Sequence, residues 1–122
     1  MKLIKSLLFF SSALIFLGCT NDSESDLTNN TPITEIITYN GTVRNIINNN
    51  CISCHATTPV NGAPMSLTTY ENVKNAVLNR GLLDRISRSQ GSFGMMPNGG
   101  ARMTQNTIDL IVKWKNDGLL EQ

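Results

Sequence analysis

The sequence is poor in the side chains that most often hold metal ions. It contains one histidine, His55, and three cysteines, Cys19, Cys51 and Cys54. A structural zinc site normally takes four Cys or His ligands. Only Cys51, Cys54 and His55 lie together in the chain, so the sequence argues against a zinc site.

The sequence also lacks a strong excess of either charge and a long apolar run. Its ten basic and nine acidic residues give a formal charge of +1, whereas nucleic-acid-binding proteins normally carry a marked basic excess. The apolar run at residues 7–17 is eleven residues long, well short of the roughly 20 that a membrane-spanning helix needs. Large apolar side chains are few for a single domain, so we expect something besides the chain to supply buried apolar area.

The first eighteen residues have the pattern of an export signal, with Lys2 and Lys5 before the apolar run. The run ends in Phe-Leu-Gly-Cys, which resembles the lipobox of bacterial lipoproteins. This resemblance implies a signal peptide over 1–18, a lipid on Cys19 and an exported protein, on the periplasmic or cell-surface side, anchored to a bacterial membrane. Residues 19–32 are polar and acidic and predict a flexible tether. The alternative is an ordinary secretory signal with a chance cysteine near its end.

Residues 33–122 predict an all-α domain with three or four short helices. After an extended lead-in, Thr42 is the predicted cap of a short helix that runs into Cys51. The sequence Thr68-Thr69-Tyr70-Glu71 is a capping box that predicts a second helix, which ends near Gly81. A short third helix is predicted around 82–86.

The last predicted helix is the most regular. Thr104 is its predicted cap, Gly118 its predicted end, and apolar residues cover a wide arc between them. Residues 87–103 separate this helix from the third one and are rich in Gly and Ser, without periodicity. Long loops inside compact domains are commonly functional, so this loop is a candidate part of the site.

Cys51, Cys54 and His55 form C-x-x-C-H, the signature of c-type haem attachment. Two thiols at this spacing, at the end of a helix, can reach the two vinyl groups on one side of a porphyrin, and the next residue presents an imidazole to the iron. The haem would also supply the missing apolar area. A redox dithiol, which expects a βαβ context, and a structural disulfide in an oxidising compartment are the alternatives.

The second axial ligand of such a haem cannot be histidine, because the chain has no other. Methionine is a usual partner of histidine in c-type haem proteins. The candidates are Met65, Met95, Met96 and Met103. The other ring nitrogen of His55 needs an acceptor, and a backbone carbonyl near Pro59 or Pro64 is expected to serve.

Residues 38–119 resemble a small class I c-type cytochrome domain of the lipoprotein type. The resemblance rests on the short helix before CISCH, on MMPNGG in the late loop and on the Trp-bearing final helix. It implies a class I cytochrome c-like fold around one covalent haem c, with His55 as proximal ligand. The Met96-Pro97 step implies Met96 as distal ligand, with Met95 as second choice. The first and last helices are expected to pack across each other.

The resemblance implies an electron carrier rather than an enzyme. We expect a membrane-tethered mono-haem protein, a monomer, that shuttles single electrons between exported redox partners through transient contacts. One alternative is a five-coordinate haem that binds gas or peroxide, and another is a non-haem lipoprotein with a Cys51–Cys54 disulfide. Four arginines near the late loop are expected to neutralise haem propionates or attract an acidic partner, unless they form ordinary surface: Arg80, Arg85, Arg88 and Arg102.

Overall fold

A computed structural model of the chain describes residues 33–122. The predicted signal peptide, lipid attachment at Cys19 and tether lie outside the described residues. Within 33–122 there is no β-strand, so the prediction of an all-α domain is confirmed. No helix in this part of the chain is long and apolar enough to cross a membrane. The elements, in order, are a π-helical turn (Tyr39–Val43), α1 (Arg44–Asn50), α2 (Tyr70–Asn79), α3 (Leu82–Ser87) and α4 (Gln105–Asn116).

The first helical segment begins earlier than predicted. Its cap is Thr38, whose hydroxyl accepts a hydrogen bond from the N–H of Gly41 at 3.2 Å. Thr42 is already inside the turn, because its own N–H donates to the Thr38 carbonyl at 3.1 Å. The predicted Thr42 cap is therefore wrong.

The other helix ends follow the prediction more closely. Thr69, and not Thr68, caps α2, since its hydroxyl accepts from the N–H of Asn72 at 3.2 Å; the predicted capping box is therefore wrong by one residue. Thr104 caps α4 as predicted. The positive φ angles of Gly81 (69°) and Gly118 (97°) confirm both predicted glycine stops, because glycine adopts this left-handed conformation without strain.

The core lies where the π-helical turn, α2 and α4 meet. Tyr39, Tyr70 and Trp114 form an aromatic cluster there, with ring centroids 5.5 to 6.3 Å apart. Ile37, Val43, Ile47, Ile108 and Ile111 surround it and are fully or almost fully buried. The predicted packing of the first and last helices is present between the π-helical turn and α4.

The two ends of the described domain are joined by hydrogen bonds. The N–H groups of Tyr39 and Asn40 donate to the carbonyls of Leu120 and Glu121 at 2.8 and 3.0 Å. The indole N–H of Trp114 also donates to the Leu120 carbonyl, at 2.8 Å. These hydrogen bonds join the start of the domain to its last residues beside the core. The long connections between the helices lie away from these contacts and line a cavity.

Candidate functional site

Most of the residues singled out in the sequence line one cavity, of about 550 Å³. Cofactor and ligand sites commonly span roughly 300–1,000 Å³. Its walls come from the chain between Asn50 and Leu67, from the region of Arg80 to Ile86, and from the segment 96–98. Cys51, Cys54, His55 and Met96 are all among the lining residues. Residues up to 45 positions apart in sequence therefore meet at one place.

A tight turn after α1 presents the two thiols and the imidazole. Cys51 ends α1, with its N–H donating to the Ile47 carbonyl at 2.8 Å. The carbonyl of Cys51 then accepts from the N–H groups of Cys54 and His55, at 3.1 and 2.9 Å. Both thiols are free and half-buried. One backbone oxygen thus holds all three functional residues in a single turn.

His55 is the one buried polar residue among the described residues and has 8 % of its surface exposed. Its Nδ1 lies 2.8 Å from the carbonyl oxygen of Met65. Because a carbonyl oxygen only accepts hydrogen bonds, this contact requires a proton on Nδ1, so the lone pair of a neutral His55 ring lies on Nε2. The N–H of Leu67 donates to the His55 carbonyl at 2.9 Å, which further fixes this segment. The acceptor lies beside Pro64, one of the two places expected from the sequence.

The surroundings of Cys51 do not favour a thiolate. Burial raises the pKa of its thiol to about 11, so the group is protonated at neutral pH. The thiol also follows the C-terminal end of α1, where the helix dipole disfavours negative charge. Reactive dithiols have a lowered thiol pKa, commonly at a helix N-terminus. The absence of strands from residues 33–122 also removes the βαβ context that the dithiol alternative expects.

Asn61 is a neighbour of the site that the sequence did not identify. Its side-chain Nδ2 lies 3.6 Å from the sulfur of Cys54. Asn61 has a left-handed φ of 53°, and the preceding Val60 donates its N–H to the Cys54 carbonyl at 2.9 Å. The Asn-Gly pair at 61–62 signals a turn, but only the fold brings this amide to the sulfur.

The four candidate methionines occupy different surroundings. Met65 and Met96 line the cavity, whereas Met95 and Met103 do not and are buried elsewhere. Met65 already holds the His55 ring through its carbonyl. Met96 comes from the connection between α3 and α4, and its N–H donates to the Arg85 carbonyl at 3.1 Å. Of the two adjacent methionines, Met96 is therefore the one at the cavity.

The structure divides the four arginines into two pairs. Arg80 and Arg85 line the cavity. Arg88 instead forms an ion pair with Asp84 at 2.6 Å. Arg102 donates to the Arg88 carbonyl at 3.0 Å and to the side chain of Gln105 at 2.8 Å. No carboxylate of residues 33–122 lines the cavity, so its charged wall is basic.

The donor set does not suit a bare ion. No group of three or more His, Cys, Asp or Glu side chains in residues 33–122 is placed to hold one. A haem c is compatible with the residues present, since two thiols, an imidazole with an open Nε2 and a thioether line one cavity. Apolar residues of its wall include Leu67, Leu82 and Ile86.

Comparison of the chain with protein-family models, curated proteins and solved structures finds no match in any of the three.

Proposed function

We propose that the chain is a membrane-tethered mono-haem c-type cytochrome with a class I fold, and that it carries single electrons between exported redox proteins. The observation that supports this most strongly is the shared cavity of Cys51, Cys54, His55 and Met96. The contact between His55 Nδ1 and the Met65 carbonyl adds to it, because it leaves Nε2 available to a metal.

Each residue has a defined role in this proposal. The sulfurs of Cys51 and Cys54 would hold the haem through thioether bonds, and Nε2 of His55 and the sulfur of Met96 would bind its iron. When bound, the haem supplies one-electron Fe(III)/Fe(II) chemistry at a potential that methionine ligation raises. The Met65 carbonyl keeps the imidazole in one tautomer and one orientation.

The chain's own contribution is a fixed turn beside a partly apolar wall. The turn at 51–55 is held by backbone hydrogen bonds, and Leu67, Leu82 and Ile86 supply apolar surface to the cavity. Arg80 and Arg85 supply positive charge beside the cavity, which suits the acidic groups of a haem. Contacts with redox partners are weak and transient, as is usual for electron transfer. The lipid on Cys19 keeps the domain at the membrane.

Covalent attachment is tested by intact mass. We expect the full chain, expressed with the haem-attachment machinery of an exporting bacterium, to gain the mass of one haem. The double variant Cys51→Ala/Cys54→Ala loses this gain, because both thioether sulfurs are removed. The matched control is Cys19→Ala, which removes the third thiol and leaves haem attachment unchanged. A wild-type chain without the added mass would instead support the disulfide-containing lipoprotein.

Axial ligation is tested by optical spectroscopy of the oxidised protein. A methionine–iron charge-transfer band supports the electron carrier. Direct binding of carbon monoxide to the reduced wild type, without displacement of a protein ligand, would favour the five-coordinate alternative.

A further inference from the structure

The loop that carries Met96 is attached to α3 by two arginine side chains. Arg85 lies in α3, and Arg88 is the C-cap of this helix. We call residues 89–104, between this cap and α4, the methionine loop. Its tip is not held by apolar burial, because Phe93 has 96 % of its surface exposed. The hydrogen bonds of Arg85 and Arg88 reach the two residues at this tip, Phe93 and Gly94.

Arg88 joins the tip to a carboxylate. Its Nη1 donates to the Phe93 carbonyl at 2.7 Å. Its Nε and Nη2 both donate to Oδ2 of Asp84, at 3.1 and 2.6 Å. Asp84 lies one helical turn earlier on α3, so the carboxylate orients the guanidinium toward the loop. A planar guanidinium can make all three bonds at once because its donors diverge in a rigid fork.

Arg85 holds the segment next to the ligand at two points. Its Nη1 donates to the Gly94 carbonyl at 3.2 Å. Its own backbone carbonyl accepts from the N–H of Met96 at 3.1 Å. The two bonds lie on either side of Met95, so Arg85 fixes the stretch of chain that enters the cavity.

Gly94 fits closely between the two guanidinium groups. A Cβ atom added there would lie 2.7 Å from Nη1 of Arg88 and would also overlap Nη1 of Arg85. Gly94 has a φ of 73°. Gly91, in the same loop, has a φ of 77° but nothing within 4 Å of an added Cβ. Alanine at either glycine would therefore strain the backbone to a similar degree. Only alanine at position 94 would also collide with the two arginine side chains.

We propose that Arg85 and Arg88 are positioning residues that hold the methionine loop so that the Met96 sulfur stays at the cavity. This inference rests on the proposed function, because it concerns the distal ligand of the proposed haem. Phe93 and Gly94 precede Met96 by three and two residues. Release of their carbonyls lets the tip move away, and an external ligand then competes more easily with the thioether.

The test is the affinity of the oxidised, haem-loaded full chain for imidazole, measured by the shift of the main haem absorption band. In chains that keep Met96, loss of the methionine–iron band accompanies this shift. Arg88→Gln is the cleaner variant, because Arg88 does not line the cavity. We expect it to raise imidazole affinity about tenfold, since binding competes with a closed loop that the variant makes less stable. Arg88→Lys keeps the charge, lacks the rigid fork and is expected to behave similarly. Arg44→Gln, an exposed substitution on α1, is the matched control and keeps wild-type affinity.

Two further measurements separate positioning from a general loss of stability. In a Met96→Ala background, Arg88→Gln is expected to have no further effect on imidazole affinity, because the competing ligand is already gone. Gly94→Ala is expected to raise imidazole affinity and to speed amide exchange at residues 93–96. Gly91→Ala has a much smaller effect on both.

The outcomes distinguish this inference from the proposed function. Wild-type imidazole affinity in both Arg88 variants, or equal effects of Gly94→Ala and Gly91→Ala, would overturn the positioning role and leave the cytochrome proposal intact. Failure of the wild-type chain to take up haem would overturn the proposed function. In that case the rate of amide exchange at residues 93–96 is the remaining test of whether the arginines hold the loop. An unchanged exchange rate in Arg88→Gln would overturn the positioning role too.

Discussion

Two adjacent methionines, Met95 and Met96, have different surroundings. Met95 is 5 % exposed and does not line the cavity. Met96 is half-buried and does line it. Since successive side chains of an irregular loop point in different directions, one residue is available to fill space and its neighbour is available as a ligand.

Alanine substitutions at these two positions should have opposite consequences. Met95→Ala is expected to lower the free energy of unfolding by about 2–5 kcal/mol, because it truncates a buried apolar side chain, and to keep the methionine–iron band. Met96→Ala is expected to abolish the band with a smaller loss of stability. Urea unfolding and the oxidised optical spectrum of the same two variants provide the measurements. Loss of the band in Met95→Ala alone would reverse the assignment of the distal ligand.

At the scale of elements, the position of the CISCH turn relative to α1 is decisive. The turn follows the C-terminal end of the helix, and Cys51 still donates to the carbonyl of Ile47. The dipole and the burial there both disfavour a thiolate, and the pKa of the Cys51 thiol is raised. The position of Cys51 at the end of α1 is therefore unfavourable for a cysteine that attacks a disulfide as a thiolate. It is compatible with a cysteine whose sulfur forms a thioether.

The beginning of the first helical segment can be tested with two threonines. Thr38→Ala removes the hydroxyl that caps the π-helical turn and is expected to cost about 1 kcal/mol of stability. Thr42→Ala removes no cap and serves as the matched control, with a smaller expected effect. Urea unfolding of both variants gives the comparison. A larger loss in Thr42→Ala would mean that the helix starts where the sequence alone predicts.

At the scale of the whole molecule, Asp117 links the start of the domain to its last helix. Its Oδ2 accepts from the N–H of Ile37 at 2.8 Å, and its carboxylate pairs with Lys113 at 2.8 Å. The hydrogen bond from Ile37, followed by that from Lys113, lowers the pKa of Asp117 below its usual value of 3.8. Folding therefore favours the ionised form of Asp117 over its protonated form.

This shift predicts a loss of stability in acid. Because the folded pKa is lower than the unfolded one, the contribution of Asp117 is complete above the usual value of 3.8 and is lost as pH falls through the lower folded value. Urea unfolding at a series of acidic pH values should show this decline in the wild type. Asp117→Asn should flatten it, since the amide does not titrate. An equally steep acid limb in Asp117→Asn would assign the decline to other carboxyl groups.

Several features follow from local sequence alone. The helical class, the Thr104 cap and the stops at Gly81 and Gly118 depend on backbone preferences and hydrogen bonds within a few residues. C-x-x-C-H is equally local, because a single turn brings its three side chains together. The lipid and haem assignments made from the sequence stay predictions, and the intact-mass experiment tests the haem assignment.

Only the three-dimensional structure decided the contacts that the loops make. The acceptor for His55 is the Met65 carbonyl, Asn61 reaches the sulfur of Cys54, and Met96 rather than Met95 lines the cavity. Two of the four arginines, Arg85 and Arg88, hold the tip of the methionine loop. A local sequence pattern identifies the side chains that could form a site. The path of the long loops determines which of these side chains come into contact.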